Sequence, residues 1–317
     1  MGVENELVCG LAGMSPHAKE PKTRSVLESW ISKAESEIDP SRSGRLAWLI
    51  STTIAAAKLQ EVLDANGESR FALKGGTLLQ HRLGLRARAM RDLDGIVRGD
   101  IEDFLKAFDQ SLDTCWGPIS FARSEITAIQ VPSKPIKPRR FELQLALRGQ
   151  VWRKVVVEIS PDEGRVGECF DAFPAPPIGV FGLPSPDRLV CISMSYQIAQ
   201  KVHAVTDPHD PPFFVNRRAR DVVDLVLLKR LIEDEGGPGP ETIGAAVRDV
   251  FDARAAEARA LGRPERGLPA EIIVYPHWES DYAEAARGCE LDLPLSEAVE
   301  VINKWIRCII ESANLAR

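Results

Sequence analysis

The chain has few cysteines, few aromatic residues and no excess of basic residues, and each shortage excludes a class of protein. Its six cysteines are scattered and form no C-x-x-C pair, so we expect neither a structural zinc site nor a disulfide framework. A formal net charge of −6 excludes a protein that is basic throughout and binds nucleic acid over its whole surface. Because neither an apolar signal core nor a membrane-spanning apolar run is found, we expect a cytoplasmic protein without membrane contact.

Composition otherwise indicates an ordinary globular protein. Hydrophobic residues make up 44% of the 317 residues and charged residues 27%, which allows a sizeable core. The length predicts two domains, or one large domain with additions. We place an N-terminal tail and helix at 1–44, a domain of the α+β class at 45–170, and a helical C-terminal domain at 171–317.

Hydrophobic periodicity gives the local structure that supports this division. Residues 1–23 show no periodicity and predict a loose tail, and the Pro- and Gly-rich residues 171–187 predict a connector. A Gly149-Gln150 turn is expected to join the last two strands. Helices are predicted over residues 24–39, 45–66, about 77–83, 101–113, 186–205, 217–233, 241–260 and 295–313, and strands over 71–73, about 91–97, 140–148 and 152–160.

The stretch FALKGGTLLQHRLGLRARAMRDLDGI, residues 71–96, carries the clearest chemical signal. Asp92 and Asp94 are one residue apart on a predicted strand, so both carboxylates point to the same face. Two carboxylates that close repel each other unless a cation lies between them, and Mg²⁺ accepts oxygen ligands together with substrate phosphates. Upstream, Gly75-Gly76 enters a helix whose N–H groups can approach a phosphate. The pattern predicts metal-assisted phosphoryl or nucleotidyl transfer; the alternative is a solvated acidic pair.

Other charged residues are weaker candidates for the same site. Glu158 follows an apolar strand and is a possible third metal ligand, or an acid facing water on an edge strand. Lys201 on a predicted helix can reach a triphosphate, although its spacing also fits a surface lysine. Asp221 and Asp224 share one helical face, either as a wall of the cleft in which Asp221 orients Lys201, or as a solvated helix start.

These motifs in this order resemble the AbiEii/AbiGii toxin family of nucleotidyltransferases, in the DNA polymerase β-like superfamily. The family's K-G-G-T-x-L motif is matched by Lys74, Gly75, Gly76, Thr77 and Leu79, and R-x-S-x-D-L-D by Arg88, Asp92, Leu93 and Asp94. Two later helical motifs are matched by Lys201, Val202 and Ala204, and by Arg220, Asp221, Asp224 and Leu225. Three positions depart from the family pattern: Met90, Gly95 and Gln200.

The resemblance implies a fold and a set of roles. The fold would be a polymerase β-like mixed sheet flanked by helices, the nucleotidyltransferase domain, followed by a mostly helical domain. Asp92 and Asp94, with Glu158, would hold Mg²⁺ or Mn²⁺, and Lys201 and Asp221 would complete the catalytic set. The nucleoside triphosphate would contact Lys74, Gly75, Gly76, Thr77, Arg88 and Asp224.

The resemblance also implies partners. The acceptor would be the 3′ end of tRNA and a cognate antitoxin would bind the toxin. Basic stretches at 134–140, 148–154 and 217–220 could hold an RNA backbone. Two alternatives stay open: an adenylyltransferase acting on a small molecule such as an aminoglycoside, or on a protein hydroxyl, and a non-catalytic member that binds a nucleotide or a partner.

Overall fold

A computed structural model describes residues 6–39, 44–84, 87–212 and 214–315 of the chain. Its helices are α1 Glu6–Ala12, α2 Arg24–Ile38, α3 Arg45–Leu59, α4 Gly75–Leu83, α5 Ile101–Ser111, α6 Met194–Val205, α7 Ala219–Glu235, α8 Pro240–Ala260, α9 Trp278–Gly288 and α10 Leu295–Leu315. Its strands are β1 Phe71–Leu73, β2 Asp92–Val97, β3 Ile119–Arg123, β4 Thr127–Ala128, β5 Arg139–Leu147, β6 Gln150–Pro161, β7 Phe170–Pro174 and β8 Arg188–Ile192.

The strands form one mixed sheet in the order β3-β5-β6-β2-β1-β8-β7, with β4 paired to β5. Strand β2 runs parallel to β6 and antiparallel to β1, and β1 in turn runs parallel to β8. The predicted mixed sheet flanked by helices is therefore confirmed. Strand β2, which carries the two aspartates, lies near the middle of the sheet.

Strands β5 and β6 form the hairpin that their alternating sequences predict, with every second residue buried. The turn is Arg148-Gly149, one residue earlier than predicted, because Leu147 pairs directly with Gln150. Both turn residues have positive φ, 48° and 83°, as a tight two-residue hairpin requires.

One face of the sheet is covered by helices α3 and α5. Helix α3 contacts β5, β6 and β8. On α5, Phe104 stacks on Phe71 of β1 and Phe108 contacts Phe141 of β5, with ring centroids 6.2 and 5.7 Å apart. Since this face is apolar and buried, the polar residues that alternate with it on β2 and β6 lie on the opposite face.

The C-terminal helices pack mainly on one another. Helix α6 contacts α7 and α8, α10 contacts α7 and α8, and α9 contacts α7. Helix α6 follows β8 almost directly, and the Ser193 hydroxyl caps it by accepting a hydrogen bond from the Tyr196 N–H. This short connection holds the helical layer against the end of the sheet. No helix within the described ranges is both long and apolar enough to cross a membrane.

Two sequence predictions are wrong. The expected loose tail contains helix α1, whose Leu7 and Leu11 are fully buried; seven residues are too few for periodicity to identify it. The helix expected over 186–205 is strand β8 followed by α6, because the apolar run from Leu189 to Ile192 pairs with β7 and β1. Short apolar runs do not distinguish strands from helices. The boundary proposed between 170 and 171 lies inside β7, and the division into domains stays a prediction.

Candidate active site

Three carboxylates meet on the open face of the sheet. Asp92 and Asp94 lie on the same side of β2, and Asp94 is the direct register partner of Glu158 on β6. Burial, together with the charges of Glu158 and Asp92, raises the pKa of Asp94 to about 6, although Lys74 and Lys201 oppose the shift. Burial is the largest of these causes, so an unpaired negative charge on Asp94 is disfavoured at this position.

Glu158 has a cation of its own in this structure. The guanidinium of Arg140, its register partner on β5, donates a hydrogen bond to its carboxylate. Among the residues that the structure describes, no three His, Cys, Asp or Glu side chains are placed to hold a metal ion. The oxygen chemistry of Asp92, Asp94 and Glu158 fits a hard divalent cation, but binding one through all three requires Glu158 to turn from Arg140.

The Gly-Gly turn places backbone directly against Asp94. Gly75 has a φ of +65°, and a Cβ there would lie 2.6 Å from Oδ2 of Asp94. A Cβ on Gly76 would lie 2.3 Å from Sδ of Met90. Glycine is therefore needed at Gly75, whereas a side chain at Gly76 would have to displace the flexible end of Met90, a departure from the family pattern that fills the space over Gly76. At Gly95, a second departure, a Cβ would lie 2.0 Å from the Phe71 ring.

Several groups predicted to hold phosphate already have partners. The Gly75 N–H donates to Oε1 of Gln197 at 2.9 Å, and Nε2 of Gln197 donates back to the Gly75 carbonyl at 2.7 Å. The Thr77 hydroxyl donates to the backbone carbonyl of Asp92 at 2.7 Å, which ties α4 to the carboxylate strand. In the first turn of α4, the N–H groups of Gly76 and Thr77 have no acceptor among the described residues. Both residues are buried and Met90 lies over Gly76, so a ligand would reach these donors only after side chains move.

A second charged group, here called the charge quartet, consists of Arg88, Lys201, Asp221 and Asp224. Nζ of Lys201 donates to Asp221 Oδ1 at 2.9 Å and to Asp224 Oδ2 at 2.6 Å. Arg88 binds the two oxygens of Asp224 through Nε and Nη2, at 3.0 and 3.2 Å. The two positive charges of the quartet match its two negative charges. Asp221 and Asp224 share one face of α7, as their spacing predicts.

The quartet keeps its members ionised although it is buried. Burial alone would lower the pKa of Lys201, but Asp221 and Asp224 raise it overall. Burial alone would raise the pKa of Asp224, but Lys201 and Arg88 lower it overall. The predicted contact in which Asp221 orients Lys201 is present. Because both oxygens of Asp224 are bound within the protein, its predicted role toward the nucleotide stays a prediction.

A cavity of about 50 Å³ lies beside the carboxylates, and sequence reasoning missed most of its residues. Glu163 accepts hydrogen bonds from Lys134 at 2.7 Å, Arg254 at 2.9 Å and Gln200 at 2.8 Å. Burial alone would raise the pKa of Glu163, but Arg254 and Lys134 hold it well below its usual range. Gln200, a third departure from the family pattern, thus donates a hydrogen bond to a buried acid.

Lys74 forms part of the wall of this cavity. Its Nζ donates to the Ser160 hydroxyl at 2.9 Å, and burial lowers its pKa, an effect that Asp94 and Glu163 partly offset. Sequence signals for this cavity were Lys74, Gln200 and the basic stretch at 134–140, whereas Glu163 and Arg254 stand in no motif. Lys74 therefore links the cavity to the carboxylate face.

Comparison with known proteins gives a family and a structural relative. A family model described as nucleotidyl transferase AbiEii toxin, type IV TA system, matches residues 58–304, a range that includes the carboxylates and the charge quartet. The chain is similar to the solved structure of MenT4, a nucleotidyltransferase toxin from Mycobacterium tuberculosis H37Rv, with 16% identity and a TM-score of 0.40. That alignment covers 93% of this chain and 99% of MenT4. No curated protein matches the chain.

Proposed function

The chain belongs to the AbiEii family of nucleotidyltransferase toxins of type IV toxin–antitoxin systems, and we propose that it transfers a nucleoside monophosphate from an NTP to the 3′ end of tRNA. One observation carries this proposal. Asp92, Asp94 and Glu158 lie together on one face of the sheet, and the glycine turn at the start of α4 lies directly against Asp94. A divalent cation together with the phosphates of a nucleotide would complement the charges and donors of such a face.

The carboxylates would hold Mg²⁺ or Mn²⁺, with Asp92 and Asp94 as the principal ligands and Glu158 as the third. Bound there, the ion supplies positive charge to the triphosphate and makes the α-phosphorus more electrophilic. Burial is the chief cause of the raised pKa of Asp94, and a divalent cation bound beside this carboxylate would stabilise its charged form.

The rest of the site would position the triphosphate. The N–H groups of Gly76 and Thr77 point from the start of α4, where a phosphate is favoured electrostatically. Lys201 would neutralise phosphate charge, while Asp221 and Asp224 keep it protonated and fixed. The acceptor oxygen bonds to the α-phosphorus as the bond to pyrophosphate breaks, with positioning as the main contribution of the protein.

We further propose that the protein acts in the cytoplasm and that a cognate antitoxin binds it. The antitoxin partner follows from the family, which is described as a toxin of type IV systems, and the cytoplasmic location from scattered cysteines that form no disulfide framework. Small-molecule or protein adenylylation remains the alternative that the experiment must separate from transfer to tRNA.

A labelling experiment tests the proposal. Each of the four α-³²P-labelled NTPs is incubated with Mg²⁺ and total tRNA, with an aminoglycoside, or with a protein mixture. Periodate-oxidised tRNA, which lacks an intact 3′ terminal diol, is the matched acceptor control. We expect label on intact tRNA only, and none with the Asp94→Asn variant. Equal labelling of oxidised tRNA, or label only on the antibiotic or protein, would contradict the proposal.

A further inference from the structure

We propose that Arg140 is an exchangeable cation that competes with a divalent metal ion for Glu158. The third carboxylate of the active site then becomes a metal ligand only when Arg140 moves away. The inference rests on the proposed function and adds to it a residue that sets the affinity for the ion. Arg140 belongs to none of the family motifs matched in the sequence, and because it acts through Glu158 it is a positioning residue.

Arg140, Glu158 and Asp94 lie side by side across three neighbouring strands. Arg140 on β5 is the register partner of Glu158 on β6, and Glu158 is the register partner of Asp94 on β2. Side chains that face each other across neighbouring strands are only about 5 Å apart at Cβ. The Glu158 carboxylate can therefore turn toward the cation on one side or toward Asp94 on the other.

The structure shows Glu158 turned toward Arg140. Nη2 of Arg140 donates a hydrogen bond to Oε1 of Glu158, and within the described parts of the chain neither residue forms another ion pair. The carboxylates of Asp92 and Asp94, by contrast, accept no hydrogen bond and form no ion pair with any residue that the structure describes. Two of the three proposed ligands are thus open, and a cation of the protein occupies the third.

The Arg140–Glu158 pair can separate at low cost because its cation lies close to solvent. The side chain of Arg140 is 50% exposed, whereas that of Glu158 is 24% exposed. An exposed ion pair contributes little to stability, since water solvates the guanidinium once the pair separates. A guanidinium is not deprotonated in a protein, so a change of pH does not release Glu158. Release requires a competing cation.

A divalent ion is the competitor that the chemistry of the site favours. The three carboxylates supply only oxygen atoms, which are the ligands that Mg²⁺ and Mn²⁺ prefer. Such ions often bind through two carboxylates and complete their shell with substrate phosphates. The open carboxylates of Asp92 and Asp94 can hold the ion first, and Glu158 lies beside Asp94. Arg140 therefore weakens the binding of the ion as long as it keeps Glu158.

A second ion pair on the same hairpin provides a matched control. Nζ of Lys154 on β6 lies 2.7 Å from Oε1 of Glu142 on β5. The side chain of Lys154 is 54% exposed, close to the value for Arg140, but its partner is not a proposed metal ligand. Removing Lys154 takes one positive charge from the hairpin without freeing Glu158. The control thus separates direct competition from a general effect of surface charge.

Titration of Mn²⁺ into the full chain without nucleotide tests the proposal, with the free ion followed by electron paramagnetic resonance. The single variants are Arg140→Ala, Arg140→Lys, Lys154→Ala and Glu158→Gln, and a double variant combines Arg140→Ala with Glu158→Gln. Each substituted side chain reaches solvent, so the variants are expected to fold, and circular dichroism checks this.

We expect Arg140→Ala to bind Mn²⁺ about threefold to fivefold more tightly than the parent, which corresponds to the loss of one exposed ion pair. Arg140→Lys should lie between the two, because a lysine can still reach Glu158. Lys154→Ala should match the parent. In the Glu158→Gln background, Arg140→Ala should change nothing, since the competition acts through the Glu158 carboxylate.

Four results would overturn the inference. The first is equal or weaker Mn²⁺ binding by Arg140→Ala, and the second is equal tightening by Arg140→Ala and Lys154→Ala. The third is a tightening by Arg140→Ala that persists when Glu158 is already replaced by Gln. The fourth is a lack of Mn²⁺ binding by the parent and by Arg140→Ala alike.

The titration separates this inference from the proposed function, because neither an NTP nor an acceptor is present. If tRNA is labelled but Arg140→Ala binds Mn²⁺ as the parent does, the inference on Arg140 fails alone. If no acceptor is labelled and Arg140→Ala still tightens Mn²⁺ binding through Glu158, the proposed reaction fails while the competition stands.

Discussion

The carboxylate face and the charge quartet are both buried and charged, but only one of them is balanced. On the sheet, Arg140 is paired with Glu158, but burial raises the pKa of Asp94 to about 6 although Lys74 opposes the shift, so the charge of Asp94 is not fully stabilised by its neighbours. In the quartet, Arg88 and Lys201 match Asp221 and Asp224 through short hydrogen bonds. The balanced region can form before any ligand arrives, whereas the unbalanced one gains from a cation.

This difference suggests that the carboxylate face and the charge quartet have different roles. The quartet joins the loop before β2 to helices α6 and α7, and so fixes Lys201 in place. The carboxylate face contributes the charge that a metal and a triphosphate would complete. Substitutions should therefore separate them: loss of a carboxylate on the sheet should damage activity, and loss of one in the quartet should damage stability.

The largest effect is expected from Asp94→Asn. Transfer should fall by about 10³-fold, because a group that holds the reacting charges is lost. The pKa of Asp94 is raised from 3.8 to about 6 in the folded state, so its ionisation lowers stability as the pH rises from about 4 to about 6, and the full cost is present above pH 6. At pH 7.5 the Tm of the variant should equal or exceed that of the parent. Rate assays and calorimetry together check this, and a large fall in Tm would contradict it.

Asp224→Ala should lower stability strongly, in contrast to Asp94→Asn. It leaves Lys201 and Arg88 without their shared buried partner, which typically costs about 3–5 kcal/mol in the free energy of unfolding. Urea denaturation measures this loss. Adding Lys201→Met should recover part of it, because the stranded charge is removed; a double variant less stable than Asp224→Ala would show that the quartet is not a unit.

Gly75→Ala tests how closely the glycine turn contacts the carboxylates. A positive φ of +65° costs alanine about 1–2 kcal/mol, and its Cβ would also push against Asp94. We expect a modest loss of stability with a larger loss of transfer. Gly67→Ala is the matched control, since Gly67 has a φ of +79° with nothing within 4 Å. Equal loss of activity in both variants would argue against the contact.

A buried histidine outside the carboxylate face and the charge quartet should make the stability of the protein depend on pH. Burial lowers the pKa of His81 to about 4, while in the unfolded chain it is about 6.5. Between these values the unfolded state binds one more proton, so stability should fall as the pH drops from 6.5 toward 4. The expected loss is up to about 1.4 kcal/mol per pH unit. His81→Gln should flatten this slope in denaturation curves measured from pH 7 to 5; an unchanged slope would contradict the assignment.

Local sequence predicted the carboxylate face well and the quartet only in part. Asp92, Asp94 and the Gly-Gly turn lie within 20 residues of one another and act through short-range geometry, namely strand alternation and a helix start. The Arg88–Asp224 pair joins residues far apart in the chain, which no periodicity can show. The same holds for Glu163 with Lys134 and Arg254.

Strand β8 shows that local sequence also has limits in predicting the fold. Its five apolar-rich residues fit a helix or a strand equally well, and only pairing with β1 and β7 decides between them. The rings of His209 and Tyr275, whose centroids are 4.5 Å apart, likewise meet only through the packing of distant segments. Sequence thus predicted groups that one element holds, and missed groups that several elements assemble.

Isothermal titration of Mg²⁺ or Mn²⁺ into the parent, Asp94→Asn and Lys201→Met tests the central claim most directly. If the carboxylate face is the metal clamp and the quartet is a structural partner, the parent and Lys201→Met should bind the ion and Asp94→Asn should not. Equal binding by the parent and Asp94→Asn would contradict the account.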